Sequence, residues 1–217
     1  MRLFAKPGDK LYSRLSVNAQ MWAKIDHILK VGKSNFKPPP AVDSNVVRIV
    51  PKNPRPQISY DEWDGLLRVC FVRKNKTLRA SFFGTTSVMD MLDSNYRTWC
   101  AQNNVLLDDG PAEANPTEAA EAEEDEVIDD ATEEMDVDGD DDDIPDFFKE
   151  AADKKAKKGG PNAKRKRKGK VAELVREKVR RALEDVAGVA DKRARMCDEG
   201  DFLRMLYAFN QEGIHFS

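Results

Sequence analysis

Apolar residues recur every three or four positions along much of this chain, which is the spacing of one face of an α-helix. Ser16 is the expected N-cap of the first such helix, and Gly188 is the expected C-cap of the fourth. Ser59 and Glu62 have the spacing of a capping box before the second. The five predicted helices have apolar faces formed by Val17, Met21, Trp22 and Ile25; by Trp63, Leu66, Leu67, Cys70 and Phe71; by Val88, Met91, Leu92, Tyr96 and Trp99; by Val171, Leu174, Val175, Val179, Ala182, Leu183 and Val186; and by Phe202, Leu203, Leu206 and Phe209.

Two β-strands are predicted between the first and second helices. Residues 28–31 and 46–50 are rich in β-branched and other apolar side chains, and prolines at positions 51, 54 and 56 then form a linker. Two strands and one helix cannot bury both faces of a sheet. We therefore expect this part of the chain to need further polypeptide for its stability.

An aromatic residue and a run of prolines lie between the two predicted strands. Phe36 is followed by Lys37 and by Pro38, Pro39 and Pro40. Each proline fixes φ and lacks a backbone N–H, so we predict a stiff, extended arm. A ring at the start of such an arm is suited to stacking on an unpaired base. From these residues alone, a phenylalanine buried in the core remains the alternative interpretation.

The formal net charge of −3 combines three blocks of different sign. Residues 1–107 carry 17 Lys and Arg against 8 Asp and Glu, and residues 149–217 carry 19 basic against 11 acidic side chains. Residues 108–148 carry 20 acids and no Lys or Arg. Two basic portions of this kind indicate a polyanionic partner, which the overall negative charge would not suggest.

The charged region at residues 108–170 contains too few apolar side chains to offset chain entropy, so we predict that it is disordered. Within it, residues 144–148 form an apolar cluster. Residues 164–168 form a cationic run that is typical of a nuclear-localisation or RNA-contacting segment.

A second group of cations lies between two predicted helices, with no carboxylate among them. Cations near the end of a helix are favoured by its dipole, which accounts for Arg73 and Lys74. The whole group exceeds what capping requires, and we predict that it contacts phosphates. Its members are Arg68, Arg73, Lys74, Lys76 and Arg79.

Cysteine and histidine usage argues against a disulfide framework and against a metal site. Cys70, Cys100 and Cys197 are odd in number and widely spaced, which favours a reducing compartment. His27 and His215 are far apart, and each is expected to be a structural or surface residue. The sequence has neither an apolar run of membrane-spanning length nor a signal-peptide core, so we expect a soluble protein that is not secreted.

Several motifs occur in a characteristic order. They are Arg-Leu-Phe-Ala-Lys-Pro-Gly-Asp at residues 2–9, Tyr-Ser-Arg-Leu-Ser-Val at 12–17, the arm at 35–44, Phe-Val-Arg-Lys-Asn-Lys-Thr-Leu at 71–78 and Gly-Ile-His-Phe-Ser at 213–217. Through them the chain closely resembles the KsgA-type rRNA adenine N6,N6-dimethyltransferases, and the eukaryotic small-subunit members most of all. The resemblance extends over residues 2–104 and 182–217.

The resemblance implies the α/β end of a Rossmann-like methyltransferase domain, followed by a small all-α domain that a long disordered charged insertion interrupts. The expected divisions are residues 1–56 for the end of the methyltransferase domain, 57–107 and 171–217 for the helical RNA-binding domain, and 108–170 for the insertion. The family binds S-adenosyl-L-methionine through a glycine-rich turn and holds the target amine with an Asn-Leu/Ile-Pro-Tyr type motif. Neither motif occurs in this sequence. We therefore expect a C-terminal portion that binds no cofactor and is inactive alone.

The resemblance also implies roles for individual residues. Phe36 would stack on the target adenine, held in place by Pro38 and Pro39. Arg14 would order the loop near the active site and, together with Lys37 and the five cations above, contact RNA. No metal is implied.

The expected partner is small-subunit rRNA in a pre-ribosomal particle, with adjacent adenines dimethylated at N6. The expected location is the nucleus and nucleolus, with the cytoplasm as a further site. A protein partner is expected for the acidic tract, and no membrane is expected to be a partner. Two alternatives stay open, namely a non-catalytic ribosome-assembly factor that binds rRNA and a mitochondrial transcription-factor relative in the same superfamily. A glycine-rich turn and an Asn-x-Pro-Tyr motif upstream would favour the enzyme, and an Arg-rich amphipathic presequence would favour the mitochondrial relative.

Overall fold

The computed structural model describes residues 1–107, 110 and 169–216. The apolar cluster at 144–148, the cationic run at 164–168 and nearly all of the insertion predicted to be disordered lie outside these residues. The α-helices are α1 (Arg14–Trp22), α2 (Tyr60–Phe71), α3 (Leu78–Phe83), α4 (Thr86–Gln102), α5 (Lys170–Arg181) and α6 (Glu199–Gln211). The strands are β1 (Ala23–Val31) and β2 (Ser44–Pro51), and a π-helical turn, Ala182–Val186, follows α5.

The first helix begins and ends earlier than the apolar spacing predicts. Its N-cap is Ser13, not Ser16; Ser16 lies at the third helical position, where its Oγ accepts a hydrogen bond from the Ser13 N–H at 3.2 Å. Ile25 lies in β1, opposite Ile49 of β2, and not on the helix. The helical spacing of apolar residues continues beyond Trp22, but the helix does not. Pairing with β2 determines the backbone there.

The capping box predicted before α2 is wrong. Ser59 is the N-cap, but its side chain accepts no capping hydrogen bond. The Glu62 carboxylate instead accepts a hydrogen bond from the Phe216 N–H at 3.1 Å, which fixes the end of the chain against α2. Gly188 has a φ of +61°, as expected of a glycine at a helix C-terminus.

Strands β1 and β2 form a two-stranded antiparallel sheet with a bulge between His27 and Leu29. The described residues do not cover both faces of this sheet, in agreement with the expectation from its size. The exposed apolar side chains on the two strands are Ile28, Leu29, Val46, Ile49 and Val50.

The helices enclose one hydrophobic core, and the start of the chain contributes to it. Tyr12, Val17 and Met21 are buried together with the apolar faces of α2, α4, α5 and α6. Aromatic rings fill its centre: Phe82 and Phe209 stack at 5.2 Å, and Phe216 meets Phe209 edge-on at 5.1 Å. The other predicted apolar faces lie in this core or against it, except that Leu174 and Val186 are exposed.

Candidate nucleic-acid interface

Phe36 lies in the loop that joins β1 to β2, at the tip of the hairpin. A 3₁₀ turn, Lys33–Asn35, immediately precedes it. The side chain of Phe36 is 39% exposed and lies outside the hydrophobic core. Lys37, Pro38 and Pro39 are also exposed. The structure therefore presents the ring at the surface, where a flat ligand can reach it.

Asp43 closes the base of the loop. Its Oδ1 accepts a hydrogen bond from the Lys33 N–H at 3.2 Å, and its Oδ2 lies 2.7 Å from the Nζ of Lys30. These contacts, that of Lys30 above all, hold the pKa of the Asp43 carboxyl below its usual value. Together with the pairing of Val31 and Ser44 at the ends of the strands, these contacts close the short loop that carries Phe36.

The structure divides the five cations predicted to contact phosphate into two groups. Arg68 forms an ion pair with Asp64 one helical turn away, at 2.8 Å, and Arg79 forms one with Glu184 of the π-helical turn at 2.5 Å. The partner of Arg68 lies at helical spacing in the local sequence, whereas Glu184 is far along the chain and only folding brings it to Arg79. Arg73, Lys74 and Lys76 lie in the turn between α2 and α3, which we call the cationic turn, residues 72–77.

A second basic segment is paired with the cationic turn through its backbone. The Leu78 N–H donates to the Lys192 carbonyl at 2.8 Å, and the Arg195 N–H donates to the Lys74 carbonyl at 3.4 Å. Thr77 and Arg193 form an antiparallel bridge between these two bonds. Two cationic segments more than a hundred residues apart in sequence are thus held side by side.

This second segment is not among the residues that the sequence predicts to contact RNA. Lys192, Arg193 and Arg195 are three cations within four residues, and that density is the signal that was available. Their environments differ. The Nζ of Lys192 lies 3.0 Å from the Asp201 carboxylate, and the Arg195 guanidinium donates to the side-chain oxygen of Asn75 at 3.4 Å. Arg193 is exposed.

Arg14, the remaining residue predicted to contact RNA, begins α1 and is half-buried. It is on the element that leads directly into the hairpin, because β1 starts at the residue after α1 ends.

The described residues contain no group of three His, Cys, Asp or Glu side chains that could hold a metal ion. Nδ1 of His215 lies 3.3 Å from Glu62, and His27 contacts Asn45. All three cysteines are free and buried, and burial raises the pKa of the Cys197 thiol to about 12. Within the described ranges, no helix is both long and apolar enough to span a membrane.

Exposed aromatic rings and clustered cations are features of nucleic-acid-binding surfaces, and this chain has both. Comparison with known proteins gives the family. The family model described as "Ribosomal RNA adenine dimethylase" matches residues 1–121. The chain belongs to this family, as its motifs predict.

Individual relatives agree with this assignment. The chain is 43% identical to a dimethyladenosine transferase from Saccharomyces cerevisiae over 217 residues, which is the whole of this chain and 50% of that protein. It is 48% identical to a dimethyladenosine transferase from Chaetomium thermophilum over 223 residues, 57% of that protein. The crystal structure of a dimethyladenosine transferase from Plasmodium falciparum superposes with a TM-score of 0.62 at 30% identity, covering 100% of this chain and 55% of that one. This chain therefore spans about half the length of these relatives.

The cofactor that the family implies, S-adenosyl-L-methionine, does not fit the described residues. In them, neither strand runs through a glycine-rich turn into a helix, the arrangement whose backbone N–H groups would receive a nucleotide-like ligand. β1 is followed by the hairpin loop, and β2 ends at Pro51, well before α2 begins at Tyr60. The chemistry that these residues can supply is base stacking and phosphate contact.

Proposed function

We propose that this protein acts in the S-adenosyl-L-methionine-dependent dimethylation of adjacent adenines, at N6, in small-subunit (18S) rRNA during ribosome biogenesis. In this proposal the described residues supply the loop that stacks on the target base and the surface that holds the RNA backbone. Residues that the described part does not contain bind the cofactor, and the chain alone is inactive. The observation that carries the proposal is the exposed ring of Phe36 on a closed hairpin loop in a member of this family.

The chemistry explains why a stacking residue matters. The exocyclic amine of adenine is a poor nucleophile, since its lone pair is delocalised into the ring. Methyl transfer therefore depends on holding the amine in line with the methyl group, and a stacked ring fixes the plane of the base. Phe36 performs this role, and Pro38 and Pro39 limit the movement of the loop.

The cationic turn and the paired segment containing Arg193 hold the RNA backbone. Phosphate contacts position the protein along the RNA without reading its sequence. The substrate reaches them in a pre-ribosomal particle, and the cationic run at 164–168 directs the protein to the nucleus and nucleolus. A non-catalytic rRNA-binding assembly factor is the second candidate, because an exposed ring and paired cationic segments could bind RNA without a cofactor.

Phe36→Ala tests the stacking role in a form of the protein that also carries the cofactor-binding motif. We expect kcat for methyl transfer to fall about 5- to 150-fold, since base stacking contributes roughly 1–3 kcal/mol. The Kd for rRNA should change less than twofold, because the phosphate contacts remain. Phe36→Trp, which keeps a stacking surface, is the matched control and should retain most of the activity. Equal losses in kcat and in rRNA affinity would make Phe36 a binding or folding residue instead.

The RNA surface is tested by the salt dependence of RNA binding. We expect Arg73→Gln and Arg193→Gln each to reduce the slope of log Kd against log salt by about 0.7–0.9, the effect of one lost phosphate contact. Arg68→Gln is the control, since its guanidinium is already paired with Asp64. The measurement is fluorescence anisotropy with an rRNA fragment at salt concentrations between about 50 and 300 mM. Identical slopes for all three variants would show that the cationic turn does not contact the RNA phosphates.

Calorimetry with S-adenosyl-L-methionine separates the two candidate functions. The enzyme proposal expects no binding to this chain alone, and binding once the cofactor motif is present. A longer form that still fails to bind the cofactor would favour the assembly factor.

A further inference from the structure

Residues 193–197, which we call the clasp segment, make hydrogen bonds to two separate parts of the molecule. On one side the segment is paired with the cationic turn, through the Thr77–Arg193 bridge and the bond from the Arg195 N–H to the Lys74 carbonyl. On the other side it accepts two hydrogen bonds from the start of the chain. The Gly8 N–H donates to the Arg195 carbonyl at 2.8 Å, and the Tyr12 hydroxyl donates to the Cys197 carbonyl at 2.9 Å.

Tyr12 is more deeply buried than Gly8, the other residue at the start of the chain that is bonded to the clasp segment. Its side chain is 3% exposed, and its ring packs edge-on against Phe71 at 6.0 Å. A buried hydroxyl group needs a hydrogen-bond partner, and here the partner is a backbone carbonyl at the end of the clasp segment. The ring and the hydroxyl together fix both the depth and the direction of the side chain.

The position of Tyr12 in the chain connects it to the Phe36 loop. Two residues later α1 begins, and α1 continues without a connecting loop into β1, which carries the loop at its far end. An anchor at Tyr12 therefore sets the direction in which the hairpin projects. Val17 and Met21 of α1 are also buried in the shared core. The polar contacts from α1 and the hairpin to the helices include the hydrogen bond from Asn18 to Asp64 at 2.6 Å and the ion pair between Lys52 and Glu199 at 3.1 Å. The latter is more than a third exposed on both sides, so it constrains the hairpin less.

We propose that Tyr12 is a positioning residue that fixes the distance between the Phe36 loop and the cationic turn. With the turn held on the phosphates, that distance selects the adenine that reaches Phe36. Tyr12 touches neither the RNA nor the reacting atoms; it acts through the clasp segment. The selection of the adenine rests on the proposed function above, whereas the fixed distance does not.

Distance measurement by double electron–electron resonance tests the anchor in this chain without any activity. Spin labels are placed at Val42→Cys in the hairpin loop and at Leu174→Cys on α5, both exposed, while the native cysteines are buried. The parent should give one narrow distance distribution. Tyr12→Leu, which removes both the ring packing and the hydroxyl, should at least double its width, and Tyr12→Phe should give an intermediate width. Tyr207→Phe is the matched control, because Tyr207 is 64% exposed, and it should leave the width unchanged.

Circular dichroism establishes that each variant is folded. If Tyr12→Leu fails to fold, Gly8→Ala replaces it, since the φ of +91° at Gly8 strains any other residue in the turn that delivers its N–H to Arg195. A parent-like width in folded Tyr12→Leu, or in Gly8→Ala where it is needed, overturns the proposal.

Kinetics test the consequence in a form that also binds the cofactor. Tyr12→Phe should lower kcat for methyl transfer about 2- to 12-fold, the range expected for one lost hydrogen bond, with KM and rRNA Kd unchanged. The fraction of methyl groups placed on neighbouring adenines should rise. Equal changes in kcat and KM, or an unchanged product pattern, would overturn the selecting role. A parent form without methyl transfer would overturn the proposed function instead, and the distance widths would still decide the role of Tyr12.

Discussion

Glu62 illustrates how the role of a single residue depends on partners that are distant in the sequence. Its position three residues after Ser59 suggests a helix cap, yet its carboxylate binds the Phe216 N–H and lies 3.3 Å from His215. The same final residues pass close to Gly65 on the next turn of α2. A Cβ built on Gly65 would lie 2.3 Å from the Phe216 carbonyl oxygen. Glu62 and Gly65 thus form the surface of α2 on which the end of the chain packs.

Gly65→Ala should therefore destabilise the protein, although alanine is the better helix former. We expect the free energy of unfolding to fall by about 1–3 kcal/mol, because the added methyl group forces the backbone of Phe216 to move. Helix propensity would return roughly 1 kcal/mol of a larger steric cost. Urea unfolding followed by circular dichroism gives the value. Gly169→Ala is the control, since no atom lies within 4 Å of a Cβ at that position. Equal stability of the two variants would show that the chain end is not seated on α2.

The candidate site was only partly predictable at this scale. The exposure of Phe36 agrees with the stacking interpretation, and its role in stacking stays a prediction. The partner of Arg68, Asp64, stands four residues before it and was visible from helical spacing, whereas the partner of Arg79 was not. Folding brings Glu184 to Arg79 and pairs Arg193 with Thr77. Contacts between residues so far apart depend on how the helices pack, which no local pattern records.

At the scale of elements, the N-terminus of α6 is closed by a capping box. Asp198 is its N-cap and accepts a hydrogen bond from the Asp201 N–H at 2.7 Å, and the Asp201 carboxylate in turn accepts one from the Asp198 N–H. The Asp201 carboxylate also binds Lys192 and Arg204. Burial by itself would raise the pKa of Asp201, but the hydrogen bonds from Lys192, the Asp198 backbone and Arg204 outweigh it and hold the pKa below its usual value. The charged form of Asp201 therefore stabilises the folded protein.

Asp201→Asn should lower the free energy of unfolding at pH 7 by about 1–3 kcal/mol, because it removes the charge from a buried, hydrogen-bonded group. Since the folded-state pKa is depressed, this contribution is present above the unfolded-state pKa and is lost as the pH falls through the folded-state pKa. The difference from the parent should therefore shrink below about pH 4, the ordinary pKa of an aspartate. Unfolding curves between pH 7 and about 3 check this, with the exposed Asp191→Asn as control. A difference that stays constant with pH would contradict the linkage.

The junction of α1 and β1 shows why element boundaries were harder to predict than the elements. Val17, Met21, Trp22 and Ile25 fit one helical face, yet the helix ends at Trp22. The residues beyond it are needed to pair with β2, which places Ile25 opposite Ile49. A periodic pattern reports which residues can be buried on one side, and both a helix and a strand can satisfy it over a few residues.

At the scale of the molecule, one core holds together segments from both sides of the charged insertion. α5 and α6 pack with α2 and α4, and the chain before the hairpin joins the same core. The two ends of the insertion also meet, since the Lys170 N–H donates to the Gly110 carbonyl at 3.2 Å. The insertion therefore leaves and re-enters the helical unit at one place.

Replacing residues 111–168 with a short Gly-Ser linker should leave the fold intact, because the residues it joins are already in contact. We expect Tm to change by less than about 4 °C, the shift that corresponds to roughly 1 kcal/mol for a protein of this size. Differential scanning calorimetry gives Tm. A linker placed instead within α4, after Leu92, is the control and should abolish cooperative unfolding, since Leu92 is fully buried. A large fall in Tm on replacing 111–168 would show that this segment packs on the core.

The sequence by itself predicted five of the six described helices and both strands, though not their bounds and not α3, and it predicted the family. These follow from short-range periodicity and from motifs whose residues are close together in the chain. Only the tertiary structure decided which cations have carboxylate partners, that Arg193 lies beside the cationic turn, and that Tyr12 and Glu62 anchor two ends of the chain. The physical reason is that burial and hydrogen bonding act between atoms that packing brings together. The sequence order of those atoms does not determine their distance in space.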